Sequence, residues 1–190
     1  MTEAIISADT SRDGLLKLAA FGVLTGVLTP LLPALLDRIS GTPGDLRLAL
    51  VAIPFAILVL ILVRRCSANP WWAAWLAAVV TMVAFVCAVN AAISIDGQIA
   101  DGSKILRNVL SGLAGGFVGA GLMALGIALL PSGPREILAW LPMLRTGTLA
   151  GALLALDSAL DLDLTSVLFP VWQAAIAVRL ALALRGARAV

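Results

Sequence analysis

Asp157, Asp161 and Asp163 form the acidic cluster of this chain. On a helix Asp157 and Asp161 would fall one turn apart, a spacing that lets two carboxylates share a cation beside a lipid phosphate. A membrane enzyme acting on lipids would need more carboxylates and a basic partner motif, and neither accompanies them. Asp161 and Asp163 read as solvated residues at a helix end. Asp157 falls about two turns inside an apolar run, where an ionised group is costly and marks a site. Asn90, Gln173, Thr25 and Thr148, with Thr29, are polar groups inside apolar runs. They either bond helices together or line a path. Arg179 is the other charge inside a run, close enough to its end to snorkel.

Much chemistry is excluded outright. There is no histidine and no tyrosine. That removes haem held by paired histidines, histidine metal sites and histidine general bases. Cys66 and Cys87 fall at different depths and show no metal-ligand spacing. No phosphate loop, nucleophile elbow or dinucleotide fingerprint is present. Asp96-Gly97 and Asp101-Gly102 read as turn dipeptides and do not match a calcium loop. The expectation is a chain without cofactor, metal or catalytic residue, and not an enzyme.

The elements that must position these groups are membrane helices. Apolar residues make up 61% and charged residues 13%, against roughly 45–50% and 25% in soluble domains. The charges fall between long apolar runs near the roughly 20 residues needed to cross a bilayer. Six spans result, Leu15–Leu36, Leu46–Val63, Trp71–Ser94, Ile105–Leu130, Met143–Leu160 and Thr165–Leu184. Lipid leaves backbone groups no partner but themselves, so the expected fold is all-α, a single six-helix transmembrane domain over residues 1–190. Its partner is the lipid bilayer. The formal charge of +2 argues against nucleic acid.

Basic residues give an orientation. With the N-terminus inside, Arg12, Lys17, Arg64, Arg65, Arg135, Arg145, Arg179, Arg185 and Arg188 are cytoplasmic, and only Arg38, Arg47, Lys104 and Arg107 are outside. Both termini are then cytoplasmic. The first fourteen residues carry Glu3, Asp9 and Asp13 against Arg12, unlike a signal peptide. Arginine greatly outnumbers lysine and alanine is abundant, a composition associated with GC-rich bacterial genomes. The expected location is the cell inner (plasma) membrane.

One span stands apart. Asn108–Pro131 holds Gly112, Gly115, Gly116, Gly119, Gly121 and Gly126, six of the chain's 17 glycines. Gly112, Gly115, Gly116 and Gly119 recur at helical spacing, as do Gly22 and Gly26 in the first span, and small residues so placed let helices approach closely. The same faces would serve contacts in a homo-oligomer or a larger membrane complex.

An internal repeat is also visible. Leu31-Leu32-Pro33, Leu46-Arg47 and Pro70-x-Trp72-x-Ala74 recur in order as Leu129-Leu130-Pro131, Leu144-Arg145 and Pro170-x-Trp172-x-Ala174. The halves would be residues 15–94 and 105–184, joined by a connector over 95–104. Three spans per half force an inverted topology, an architecture common in transporters, with a site between the halves. The leading expectation is a small transporter or channel for a small solute or ion. A non-catalytic structural or assembly subunit stands beside it, and a lipid-modifying enzyme is the weaker alternative.

Overall fold

The computed structural model describes the backbone of residues 2–33, 44–99, 102–162 and 166–188, with side chains described from residue 12 in the first segment and from residue 48 in the second. Every regular element among the described residues is helical. Asp163 and most of the turn expected over 37–45 lie outside them.

Helix α1 (Thr2–Leu28) tightens into a 3-10 turn over Thr29–Leu31. Pro30 has no N–H to continue the α-helical ladder. The hydroxyls of Thr25 and Thr29 turn back to the carbonyls of Gly22 and Thr25, at 3.0 Å each. The second apolar run is split into α2 (Gly44–Val51) and α3 (Ile53–Cys66). Pro54 removes a donor and crowds the carbonyl four residues earlier, so Ala52 N bonds Ala49 O at 3.1 Å, a tighter turn. Helix α4 (Trp71–Gln98) follows, then α5 (Lys104–Ala128), whose first turn is capped by Ser103 accepting from Leu106 N at 3.3 Å. Helix α6 (Ile137–Gly151) contains Pro142, α7 (Leu154–Ala159) is one and a half turns long, and α8 (Leu168–Arg188) ends the described chain.

Five helical segments are long and apolar enough to cross a membrane, Arg12–Leu31, Trp71–Gln98, Lys104–Ala128, Ile137–Ala159 and Leu168–Arg188. The expected second span is the α2–α3 pair, broken at Ala52 so that neither piece reaches that length. The expected connector over 95–104 is shorter than foreseen. Asp96-Gly97 is helical rather than a turn, because Asp96 Oδ1 is held 2.7 Å from Arg107 Nε on the facing helix.

Helix α4 packs on α5, α5 on α6, α3 on α4, and α8 on α1, α6 and α3. The core is aliphatic and centred on Val59, Val63, Met123, Ile127, Met143, Ile176, Leu180 and Leu184. The outward face of α4 presents Trp71, Trp72, Trp75, Val79 and Val83, a surface suited to lipid.

Glycines set the helix spacing. A Cβ at Gly22 would strike the Ala174 backbone, and one at Gly26 the Pro170 backbone, so α1 lies backbone-to-backbone on α8. Gly112 meets the carbonyl of Gly151, and Gly116 that of Gly147, across the α5–α6 seam. Gly115 and Gly119 face Ala88 of α4.

The end of the bundle carrying Arg64 is latched. Asn69 is fully buried, donates to Ser67 Oγ at 2.8 Å and accepts from Ser132 N at 2.9 Å, tying two connectors together. Trp140 Nε1 donates to Pro134 O at 2.8 Å, and the Arg64 guanidinium lies 5.2 Å over the Trp71 ring.

Candidate functional site

A cavity of about 500 Å³ opens between α4, α5 and α8. Gly112, Gly115, Gly116 and Gly119 line it on α5, and each lies in close contact with a neighbouring helix, where a Cβ would come within 3.2 Å of an atom of α4 or α6. Aromatic side chains supply the opposing wall. Phe85 and Phe169 lie 6.0 Å apart between centroids, and Phe55 meets Trp172 edge-on at 5.9 Å. Trp172 is held in place by its Nε1, which donates to Gly147 O at 3.0 Å.

The polar groups are few and graded along the cavity. The Asp96–Arg107 pair stands at one end with Asn108, and both charged side chains are partly exposed. Deeper in, Ser111 Oγ is buried with no partner among the described residues. Gln173 is buried at the wall; its Nε2 donates to Thr29 Oγ1 at 2.8 Å, while its Oε1 meets no described partner. Buried polar atoms left this way cost free energy unless a ligand or water meets them. Past Met123 the bundle is closed by Ile127, Met143, Leu180 and Leu184, all buried.

Of the polar candidates in the sequence, Asp157, Asn90, Gln173, Thr25, Thr29 and Thr148, Gln173 alone lines this cavity. Asp157 is buried elsewhere. Its carboxylate accepts from Ser166 Oγ, from Val167 N at 2.8 Å and from Leu168 N at 3.4 Å, and so caps the start of α8. Negative charge at a helix N-terminus is electrostatically favourable, which explains an aspartate inside an apolar run. Asn90 is exposed and bonds Val86 O on its own helix at 2.9 Å. Thr25 and Thr148 likewise satisfy themselves on Gly22 O and Leu144 O. Asp161 is exposed, with φ 53°.

The sequence reading missed Ser111, the aromatic wall and the charged mouth. Asp96 and Arg107 did carry a signal, since they flank a short connector and a helical hairpin sets such positions face to face. The scattered phenylalanines carried none.

The cavity walls are too apolar to replace the water around an ion, and the described residues offer no cluster of His, Cys, Asp or Glu able to hold a metal. The arrangement suits an apolar body with one polar end. Comparison with protein families, curated proteins and solved structures finds no match.

Proposed function

We propose that this chain is a six-span carrier of a small amphipathic organic solute, with the α4–α5–α8 cavity as its binding site. The observation that carries this reading is an apolar cavity holding two buried polar atoms without a described partner, Ser111 Oγ and Gln173 Oε1, with the partly exposed Asp96–Arg107 pair at one end. The solute's apolar part rests on Phe85, Phe169 and Trp172. Its polar end meets Ser111, Gln173 or the charged mouth. In this reading α2 and α3 together form the second span, bent at Pro54, and the termini face the cytoplasm. The clustering of Lys17, Arg65, Arg185 and Arg188 at one end supports that orientation.

Release toward the other side requires helices to slide. The α5–α6 and α1–α8 seams run on glycine, with backbone against backbone. Contacts without interlocking side chains permit small shear movements, a recurrent way of closing one entrance and opening another.

Neighbour order supports an inverted 3+3 ancestry. Helix α1 packs on α8 as α5 packs on α4, and α3 packs on α4 as α6 packs on α8. Register does not support an unaltered repeat. The signature alignment makes Ala120 against Ala74 the counterpart of Gly22 against Ala174. Instead Gly119 faces Ala88, about four turns further along α4.

The test uses proteoliposomes. In a background lacking Cys66 and Cys87, Val89→Cys should react with a membrane-impermeant thiol reagent, and Leu180→Cys should not. Uptake of small aromatic acids and amines is then screened, and Val89→Trp, which fills the cavity, should reduce any saturable flux at least tenfold. An unreactive Val89→Cys, or a flux indifferent to Val89→Trp, would overturn the assignment. A reactive cavity with no flux across the panel would move the weight to a non-transporting subunit.

A further inference from the structure

A second crevice, of about 610 Å³, lies at the opposite end of the bundle between α1, α3 and α8. Lys17, Arg65, Arg185 and Arg188 stand around it, contributed by three helices far apart in sequence. All four are exposed. Among the described residues the one ion pair is Arg107 with Asp96, so none of these four cations has a described carboxylate within reach.

Orientation rules and helix ends explain some basic residues here. Arg65, Arg185 and Arg188 sit in the last turns of α3 and α8, where cations are favourable. They do not explain the convergence on one crevice. Arg64 shows the contrast. It is stacked on Trp71 and donates to Asn69 O at 3.4 Å, so its charge is used within the protein. Its neighbour Arg65 turns to the crevice.

The floor of the crevice is apolar. Directly beside the cations, Leu18 and Leu62 form a buried base, and Phe21 and Ile61 are 57% and 42% exposed along its wall. A soluble anion has no use for such a wall. A phosphodiester bearing acyl chains uses both parts, its charge among the cations and its chains along the apolar side. Basic pockets between helices at a membrane surface bind anionic headgroups by this division of labour.

We infer that the α1–α3–α8 crevice is a specific site for an anionic phospholipid, with its phosphate held by Lys17, Arg65, Arg185 and Arg188. The inference rests on the chain being a membrane protein and not on transport, so a failed flux assay leaves it intact.

The experiment is lipid retention by native mass spectrometry of the full chain in neutral detergent, paired with thermal unfolding. The probes are dioleoylphosphatidylglycerol, dioleoylphosphatidylcholine and inorganic phosphate. Phosphatidylglycerol should be retained and should raise the unfolding temperature, and the other two should do neither. Each cation removed should weaken binding roughly fivefold, as expected for a basic residue at an anionic surface. Lys17→Gln is the mildest probe, because that side chain is exposed and its loss leaves the fold in place. Arg65→Gln with Arg185→Gln should show the compounded loss, and Arg135→Gln should bind like the parent. Equal retention of phosphatidylcholine, the same stabilisation by inorganic phosphate, or unchanged binding by Lys17→Gln and by the double variant would each overturn the site.

Discussion

The sharpest consequence of the glycine seams is a reversal of sign between two identical substitutions. A Cβ added at Gly116 would lie 3.1 Å from the Gly147 carbonyl carbon and 3.2 Å from Gly151 Cα, and closer still to the Gly147 oxygen. These are backbone atoms of a packed helix, so they cannot rotate aside, and α5 and α6 must separate. Overpacking of this kind costs typically about 1–3 kcal/mol. Replacing glycine in a helix returns at most about 1 kcal/mol of backbone entropy, so Gly116→Ala should lose stability on balance. At Gly97, also helical, a Cβ would meet nothing within 4 Å. There only the entropy term acts, and Gly97→Ala should be neutral or more stable by up to about 1 kcal/mol. Unfolding in mixed micelles, followed by tryptophan fluorescence, measures both. For a chain of this size each kcal/mol corresponds to about 2–4 °C in Tm. A Gly116→Ala variant as stable as the parent would refute the claim that the α5–α6 seam is closed backbone to backbone. A clear loss at Gly97 would refute the entropy argument instead.

Two further outcomes follow from buried polar groups. Thr29→Val strips the partner from Gln173 Nε2 and should cost roughly 1–3 kcal/mol, whereas adding Gln173→Leu should recover most of that loss; equal, additive penalties in the same unfolding assay would show that the α1–α8 hydrogen bond is not formed. Asp157→Ala orphans the first amides of α8 and should cost roughly 1–3 kcal/mol while leaving the reactivity of Val89→Cys unchanged; loss of that reactivity in the folded fraction would return Asp157 to the solute path.

The all-helical character was legible in the composition, because long apolar runs satisfy their backbone within a helix. The described helices follow most of the expected runs, and five helical segments are long and apolar enough to cross a membrane. Proline decided one difference, splitting the second run at Pro54, yet Pro142 sits within α6 without ending it, and the fifth run breaks at Ala152–Leu153 with no proline there. The distinction is one of surroundings, which spacing does not encode. The candidate site was less legible, for a related reason. A polar residue in an apolar run reads as a site only if its hydrogen bonds leave its own helix or find no partner. Asn90, Thr25 and Thr148 each close on a carbonyl three or four residues back, a local solution open to any such side chain. Asp157 looked costly because its capping role spans a connector, where only the fold brings donor and acceptor together.

The glycines of α5 were legible as a packing stripe, and the structure uses them that way on two neighbours. Gly112 and Gly116 lie against Gly151 and Gly147 of α6, and Gly115 and Gly119 lie against Ala88 of α4. All four also line the cavity, so the closed seams and the open volume share one stretch of α5. Which helix each glycine meets depends on the fold, and spacing alone does not give it. A substitution that loosens the α5–α6 seam moves the helix that carries Ser111, and it should change access to Val89 as well as stability.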